Sequence, residues 1–335
     1  MEFRKLGKSD VSVSVVAMGC WAIVGDSTWG PQEEAESIHT IHAALGAGVT
    51  LFDTAEAYGD GYSETLLGKA LSDGRRRGAV IASKFNHNRG SGEDIRKACE
   101  ASLARLNSDY IDLYQVHWRN RDLPLDEVMD TLQELHVEGK VRLYGVCNFG
   151  LGDLGDLLSH HFGTHAVTNQ LPYSLLWRSI EFGIRQKCAE NQIGILPYSP
   201  LAQGLLTGKF ATPDDVADGR ARTRHFSRRR TQTRHGEEGQ EAETFSAIDR
   251  VRKIAQRIGQ PMSDVSLAWL LAQEGVVSVL AGMRNQRQVE QNVRGAGVRL
   301  GKEVIAELSA ATDDLKRRFG ANSDMWESEA KTRYR

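Results

Sequence analysis

The feature that most constrains the fold is a regular alternation of apolar, strand-like runs with helix-like stretches along the 335 residues. Eight apolar runs stand out, at 14–21, 49–55, 79–85, 110–118, 141–148, 166–170, 193–200 and 276–283. Each is followed by a stretch whose apolar residues recur at helical spacing, and none is joined to the next by a hairpin. This pattern indicates parallel βαβ units. Eight of them in one chain favour a closed (β/α)8 barrel, with an open doubly wound sheet as the main rival.

The helical stretches lie at 33–48, 63–71, 93–107, 125–139, 151–161, 179–191, 243–258, 262–274, 286–294 and 301–318. Near the N-terminus, FRKLG and VSVS flank KSD, a pattern that predicts a small hairpin capping the barrel bottom. We therefore expect an α/β protein with a single (β/α)8 TIM barrel domain over 1–335 and extra C-terminal helices. Two segments fall outside the repeat: a long loop at 203–242 after the seventh strand, and a polar C-terminal tail at 319–335.

The composition argues against several classes of partner and location. Hydrophobic residues make up 40% of the chain and charged residues 26%, as in a globular protein with a large core. A net charge of -2 favours neither a nucleic-acid nor a membrane-surface partner. No apolar run approaches the ~18 residues of a membrane span, and the first residues lack an apolar signal core. The four cysteines form no CxxC pair, which fits reduced thiols in a cytoplasmic protein.

Two histidine pairs are candidate metal ligands, His39 with His42 and His160 with His161. Neither pair has a cysteine or carboxylate set at metal-ligand spacing, so we expect no metal site.

A glycine motif between a strand and a helix, formed by Gly150, Gly152 and Gly155, spells GxGxxG. A dinucleotide-binding Rossmann unit needs an acidic residue ~20 positions further on, at the end of the next strand. This chain has Asn169 and Gln170 there, so we reject the Rossmann interpretation.

Polar side chains follow three adjacent strands at the points where these strands end. Asp53 ends the second strand, Lys84 the third and His117 the fourth, and Tyr58 lies in the loop after the second. In a (β/α)8 barrel the chemistry is carried by the carboxyl ends of the strands. Each residue has a structural alternative, for example an ion pair between Lys84 and Asp53. The four types together favour a catalytic site.

These four residues suit proton transfer to a developing alkoxide. Free tyrosine has a pKa near ~10, which makes it a weak acid at neutral pH. An ammonium at ~4 Å, in an effective dielectric of ~20, stabilises a phenolate by ~4 kcal/mol before desolvation is subtracted. We therefore expect Lys84, held by Asp53, to lower the pKa of Tyr58 by up to ~3. His117 is expected to orient or polarise a carbonyl oxygen, and the hydride must come from a cofactor.

Seven motifs in register carry a resemblance that covers nearly the whole chain. They are FDTAEAYG, SK at Lys84, QVHW, GVCNF, NQ at 169–170, YSPLAQGLLTGK and AGMRNQRQVEQN. Together they resemble the aldo-keto reductase superfamily. The chain is most similar to the bacterial members related to the potassium-channel beta subunits.

The resemblance implies a barrel that binds NADPH, less readily NADH, and that reduces an aldehyde or ketone to an alcohol by hydride transfer. It implies Tyr58 as general acid, Lys84 and Asp53 as its tuning pair, and His117 as the substrate-orienting residue. Asn148 and Gln170 would hold the carboxamide, with a weaker hydrogen bond from Cys147, and Tyr198 would stack on the nicotinamide. Cys20, Trp21 and Asp53 would also contact the cofactor. The remaining cofactor contacts would be Ser199, Leu201, Gln203 and Lys209 at the pyrophosphate, and Gly282, Arg284, Gln288, Gln291 and Asn292 at the adenosine end. Trp21, Phe85 and Trp118 would line the substrate pocket.

The chain departs from the family pattern at two of these positions. Cys147 stands where the family commonly has serine, which weakens one hydrogen bond to the carboxamide. Gln291 stands where the family commonly has glutamate, and its amide still suits an adenine edge. Cys147 is interpreted as a small buried side chain, with a redox-sensitive thiol as the alternative.

Two alternative functions remain open at this point. The same residues serve an aldose or alcohol dehydrogenase that runs in the oxidative direction, so only kinetics discriminates. The second alternative is a cofactor-bound regulatory subunit with slow redox turnover. The substrate expected here is a small carbonyl compound, and the oligomeric state is left open.

Two sets of arginines invite a hypothesis about anions. Seven lie in the loop at 220–234 and precede an acidic patch, which indicates a solvated loop rather than a nucleic-acid arm. In the proteins that this chain resembles, the loop folds over the cofactor pyrophosphate, which implies Arg222 or Arg220 as a phosphate clamp. Arg119 and Arg121, which follow His117, suggest a phosphorylated or carboxylated substrate.

Overall fold

The chain opens with an antiparallel hairpin made of Phe3–Lys5 (β1) and Ser12–Ser14 (β2). The computed structural model describes residues 1–335. Leu6 and Val13 are fully buried and pack in one cluster with Val167 and Val277, which lie next to the starts of barrel strands. The hairpin therefore closes the bottom of the barrel, as predicted.

The eight remaining strands form a closed parallel barrel in chain order. They are Val16–Gly19 (β3), Leu51–Asp53 (β4), Val80–Phe85 (β5), Ile111–Val116 (β6), Val141–Cys147 (β7), Thr168–Pro172 (β8), Gly194–Tyr198 (β9) and Val279–Gly282 (β10). Val279 of β10 pairs with Val16 of β3, which closes the ring. The predicted (β/α)8 barrel is confirmed, and the open-sheet alternative is excluded.

Ten helices surround the barrel. They are Glu34–Gly46 (α1), Tyr62–Ala70 (α2), Gly92–Leu106 (α3), Leu125–Val137 (α4), Leu151–Ser159 (α5), Ile184–Glu190 (α6), Glu241–Arg257 (α7), Met262–Leu271 (α8), Gln286–Gly297 (α9) and Lys302–Phe319 (α10). α7 and α10 add to the barrel repeat and pack on each other, with Arg250 Nε donating to the carbonyl of Ala311 at 2.8 Å. No helix combines the length and the apolar character needed to cross a bilayer.

The element boundaries differ from the sequence prediction in a few places. The first barrel strand begins only at Val16 of the apolar run at 14–21, and residues 20–23 after its end form a 3-10 helix. The helix predicted over 179–191 is split, because Gly183 has a φ of 134° that a continuous helix does not permit. The loop at 203–242 contains 3-10 turns at Ala202–Thr207 and Pro213–Asp215.

Two apolar layers hold the barrel together. Inside the barrel, small and branched side chains such as Ala17, Leu51, Leu113 and Leu196 meet at zero exposure. Outside, a much larger cluster fills the space between the strands and the helices. Because successive strand residues point to opposite faces, both layers come from the same strands, which explains their almost unbroken apolar sequence.

His225 provides a test of how burial couples stability to pH. Its ring is buried, with Nε2 3.1 Å from the carbonyl of Leu176 and Nδ1 3.1 Å from Thr223 Oγ1. Burial lowers the pKa of His225 to about 4, whereas an exposed histidine titrates near ~6.5. Between these values the unfolded chain binds a proton that the folded chain does not, so stability falls as the pH falls.

We expect His225→Gln to reduce the loss of unfolding free energy between pH 7 and 4.5 by about 2 kcal/mol. Denaturant unfolding at both pH values measures this, with the exposed His165→Gln as the matched control. Equal pH dependence in the two variants would show that His225 does not titrate in this way.

Candidate active site

The four predicted catalytic side chains meet at the carboxyl end of the barrel. Lys84 Nζ donates to Asp53 Oδ2 at 2.9 Å, to the carbonyl of Thr54 at 2.8 Å and to Tyr58 Oη at 3.1 Å. β4 and β5 are paired in parallel, which brings the end of β4 beside Lys84. Lys84 is fully buried and Asp53 nearly so, whereas Tyr58 is partly open to the cleft.

Burial and the neighbouring charges act against each other in this group. Burial alone would lower the pKa of Lys84, but Asp53 and Tyr58 outweigh it, so the lysine stays charged. Burial raises the pKa of Asp53 although Lys84 and Gln170 act to lower it. For Tyr58, burial raises the pKa more than Lys84 lowers it. The predicted lowering is therefore wrong as a net effect, because desolvation of the phenolate exceeds its attraction to the ammonium. The phenol is a protonated donor.

His117 stands beside Tyr58, with ring centroids 6.0 Å apart and planes at 86°. Burial, followed by the charge of Lys84, lowers the pKa of His117 to about 3. The imidazole is therefore neutral at physiological pH. Its buried Nδ1 has no hydrogen-bond partner within the protein. A neutral ring next to a phenol can orient a carbonyl oxygen through one N–H without adding a competing acid.

The amides predicted to hold a carboxamide lie on the next two strands. Gln170 Nε2 donates to Asp53 Oδ1 at 2.7 Å, which ties the amide to the catalytic group. Asn148 has a φ of 63° and donates through Nδ2 to the carbonyl of His117 at 3.0 Å. Cys147 is buried between them, with Sγ 3.7 Å from Gln170 Oε1. Cys20 is fully buried below the cleft.

The segment after β9, predicted to line a pyrophosphate, has an unusual backbone. Ser199, Ala202 and Gln203 have φ values of 52°, 47° and 55°, a region that non-glycine residues rarely adopt. Leu201 lies between them and is partly exposed. Such strain persists where the surrounding structure imposes it, and it clusters at binding sites.

Polar groups without partners border this segment. Gln203 is 8% exposed, and neither its Nε2 nor its Oε1 has a hydrogen-bond partner. Lys209, Arg220 and Arg222 form no ion pair. Arg222 lies 5.0 Å over the ring of Trp21, so the loop crosses the cleft at this point. A buried unpaired amide and three cations in the same loop fit an anionic, hydrogen-bonding ligand such as a pyrophosphate.

The residues predicted for the adenosine end surround the start of α9. Gln288 Oε1 accepts from the backbone N–H of Arg284 at 2.8 Å, and Asn292 Nδ2 donates to the carbonyl of Gly282 at 3.3 Å. Gln291 is partly exposed. The guanidinium of Arg284 donates to the backbone carbonyls of residues 29, 30 and 31, so it also anchors the loop after β3. Sequence reasoning missed this anchoring role.

The predicted substrate-pocket residues lie on both sides of Tyr58. Trp21 stacks on Tyr58 with centroids 6.0 Å apart and planes at 22°. Trp118 is partly exposed on the other side, while Phe85 is 3% exposed and packs on Tyr114. Phe85 therefore supports the pocket from below.

Sequence reasoning missed a second set of pocket residues, which comes from 320–335. Trp326 stacks on Tyr198, Tyr334 meets Trp118 edge to face, and the Arg333 guanidinium lies 3.6 Å over the Trp118 ring. The segment is polar in composition. Its two aromatic residues, Trp326 and Tyr334, were the one feature of the sequence that could have indicated packing against the barrel.

The arginines that suggested an anionic substrate are already paired. Arg119 Nη1 lies 2.6 Å from Asp156 Oδ2, and Arg121 Nη1 lies 2.7 Å from Asp153 Oδ1. The hypothesis that they select an anionic substrate is therefore not supported. In the loop at 220–234, three arginines pair with the glutamates that follow, namely Arg224, Arg228 and Arg230.

Comparison with known proteins agrees with this geometry. The sequence model of the aldo/keto reductase family matches residues 15–313. The aldo-keto reductase YhdN of Bacillus subtilis (strain 168) is 35% identical over 330 residues, covering 94% of each chain. Among solved structures, the glycerol dehydrogenase of Gluconobacter oxydans superposes with a TM-score of 0.77 at 31% identity, covering 96% of each chain. An aldo-keto reductase of Klebsiella pneumoniae, solved in complex with NADPH, has a TM-score of 0.74 at 26% identity, covering 92% of this chain and 95% of that one.

The family match spans most of the chain, and the fold and the site agree with it. The chain therefore belongs to the aldo/keto reductase family, whose members are NAD(P)H-dependent oxidoreductases that act on carbonyl groups.

Proposed function

We propose that this protein is an NADPH-dependent reductase that converts an aldehyde or ketone to an alcohol, with Tyr58 as the proton donor. One observation carries the proposal: Lys84 Nζ lies 3.1 Å from the phenol of Tyr58 and 2.9 Å from Asp53. This chain of hydrogen bonds places a buried cation directly behind the proton that Tyr58 donates. The partner is a small carbonyl compound that fits between Trp21 and Trp118.

The geometry of the side chains supports the proposed proton transfer. A reduced nicotinamide, when bound, supplies the hydride. As negative charge develops on the carbonyl oxygen, Tyr58 donates its proton, and the charge of Lys84 stabilises the phenolate that remains. Asp53 holds Lys84 in place, and Gln170 holds Asp53. The neutral His117 donates a hydrogen bond to the same carbonyl oxygen and fixes its direction toward Tyr58.

The residues of this chain fit the cofactor that the Klebsiella relative binds. The unpaired amide of Gln203 and the free charges of Lys209 and Arg222 suit the pyrophosphate. Arg284 is proposed as the contact to the 2′-phosphate, which favours NADPH over NADH. Its guanidinium retains a buried Nε–H without a partner, in addition to the bonds that anchor residues 29–31.

A second candidate is the reverse reaction, oxidation of an alcohol or aldose. It is favoured by the similarity to the glycerol dehydrogenase of Gluconobacter oxydans. The same four residues serve both directions, since Tyr58 would then accept the proton as a phenolate. The neutral phenol is the protonation state from which the reductive direction starts, so we place that direction first. We further propose a cytoplasmic location, where the four buried thiols stay reduced.

The proposal is tested by steady-state kinetics in both directions. We expect the loss of reduced-nicotinamide absorbance with several aldehydes and ketones, and a lower kcat/KM for the matching alcohols with NADP⁺ at neutral pH. Faster oxidation than reduction would favour the dehydrogenase. Cofactor binding without turnover in either direction would contradict the enzymatic assignment.

A further inference from the structure

The segment at 320–335, which we name the tail segment, lies over the site rather than in solvent. Trp326 stacks on Tyr198 with ring centroids 6.0 Å apart and planes 14° apart. Tyr334 is 7% exposed, and its hydroxyl donates to Asn148 Oδ1 at 2.6 Å. Tyr198 and Asn148 are the residues that the family resemblance assigns to the nicotinamide ring and its carboxamide.

The tail segment is held in one shape by a buried ion pair. Asp324 is fully buried and accepts from Arg333 Nε at 2.7 Å and from Arg333 Nη2 at 2.8 Å. The same carboxylate accepts from the backbone N–H of Trp326 at 3.2 Å. Trp326 and Tyr334 are therefore positioned as one unit, and loss of Asp324 loosens both.

A second contact anchors the far end of the tail segment at the start of α5. The carbonyl oxygen of Arg335 accepts from the N–H groups of Gly152 and Asp153 at 2.7 and 3.1 Å. A Cβ on Gly150 would lie 2.1 Å from this oxygen, so the backbones approach as closely as glycine permits. The GxGxxG motif that we rejected as a dinucleotide fingerprint thus receives the chain's own backbone at a helix N-terminus.

The hydrogen bonds of Asn148 are fully used while the tail segment is docked. Its Oδ1 accepts from Tyr198 at 2.9 Å and from Tyr334 at 2.6 Å, which occupies both lone pairs. Its Nδ2 donates to the carbonyl of His117 and lies 3.2 Å from Cys147 Sγ. No donor or acceptor of Asn148 is left for a carboxamide.

The stacked rings leave no room for a further ring between them. Carbon atoms in contact lie ~3.5 Å apart, so a ring inserted between two others needs ~7 Å between their planes. The centroids of Trp326 and Tyr198 are 6.0 Å apart. No further ring can therefore stack on the face of Tyr198 that Trp326 covers.

We propose that the docked tail segment and the nicotinamide compete for Asn148 and Tyr198, an inference that rests on the proposed function. The contacts of the tail segment with these two residues must break before the nicotinamide half of the cofactor binds. The tail segment contacts α5, Trp118 and Tyr198, and it also contacts the loop at 203–242, where the N–H of Arg224 donates to the carbonyl of Met325 at 2.8 Å. None of these contacts is at the start of α9, which the residues for the adenosine half surround. The adenosine half therefore binds whether or not the tail segment is docked. The apparent affinity for the whole cofactor is reduced by the fraction of molecules with the tail segment docked.

The test compares NADPH with adenosine 2′,5′-bisphosphate, which lacks the nicotinamide, by isothermal titration calorimetry. Tyr334→Phe removes one hydroxyl and keeps the ring against Trp118. Tyr62→Phe is the matched control, because its hydroxyl bonds Glu34 on the surface. We expect Tyr334→Phe to bind NADPH about 3- to 10-fold more tightly, as one released hydrogen bond allows. Binding of the bisphosphate should be equal in wild type and both variants.

Asp324→Asn provides an independent second variant, since it loosens the tail segment without touching Asn148. It should also tighten NADPH and leave the bisphosphate unchanged. Unchanged or weaker NADPH binding in both tail variants, with normal bisphosphate binding, would overturn the competition and make the tail segment a lid on the bound cofactor. If neither ligand binds to any form, the proposed function itself is wrong, and the competition fails with it.

Discussion

Tyr58→Phe is expected to lower kcat for carbonyl reduction by about 10²- to 10⁴-fold, the usual contribution of a general acid. The change removes only the hydroxyl that lies 3.1 Å from Lys84 Nζ. The ring of residue 58 keeps its stacking on Trp21, so the shape of the pocket is retained. The cofactor dissociation constant should therefore stay within about twofold of wild type. This change in binding free energy is smaller than the contribution of one typical hydrogen bond.

This prediction is measured by steady-state kinetics together with calorimetric titration of NADPH. Tyr62→Phe serves again as control, since it deletes a tyrosine hydroxyl outside the cleft and should retain full activity. Retained turnover in Tyr58→Phe would remove the phenol from the mechanism. A parallel loss of NADPH binding would assign Tyr58 a structural role instead.

Lys84→Met is expected to affect both stability and catalysis. Lys84 and Asp53 form a buried ion pair at 2.9 Å, with side-chain exposures of 0% and 5%. Removing the ammonium leaves the carboxylate buried without its counter-charge, which costs about 3–5 kcal/mol of unfolding free energy. The phenolate of Tyr58 also loses its stabilising charge, so we expect kcat to fall by at least about 10²-fold. Denaturant unfolding and kinetics measure the two effects separately.

The double variant Lys84→Met with Asp53→Asn separates stability from chemistry. It has no buried unpaired charge, so it should recover at least about 2 kcal/mol of the lost stability. It should not recover turnover, because the cation behind Tyr58 is still missing. If the double variant were as unstable as Lys84→Met, the loss would come from packing rather than from the uncompensated carboxylate.

The barrel could be predicted from the sequence because its signal is local. Each strand is a short apolar run that packs on two faces, and each helix carries an apolar stripe, so both periods are visible in the linear chain. The catalytic set followed from the same pattern. Asp53, Lys84 and His117 were predicted to share a rim because parallel strands all end there, and the distances among Lys84, Asp53 and Tyr58 agree.

The net electrostatic effect on Tyr58 did not follow from residue types. A cation beside a phenol predicts a lower pKa, but the sign depends on how much water the folded chain removes from the phenol. In the structure, burial outweighs the charge of Lys84. The same limit applies to Arg119 and Arg121, whose positive charges are visible in the sequence while their partners on α5 are not.

The sequence by itself determined the order of the strands and helices, the rim of the candidate active site, and the four residue types that meet there. These depend on short-range periodicity and on the parallel barrel that it imposes. Only the tertiary structure decided that the polar tail segment returns to Tyr198 and Asn148, and that Arg284 anchors the loop at residues 29–31. The physical reason is sequence separation. Asn148 and Tyr334 are 186 residues apart in the sequence. Local sequence patterns do not indicate on which distant surface the aromatic rings and the ion pair of the tail segment pack.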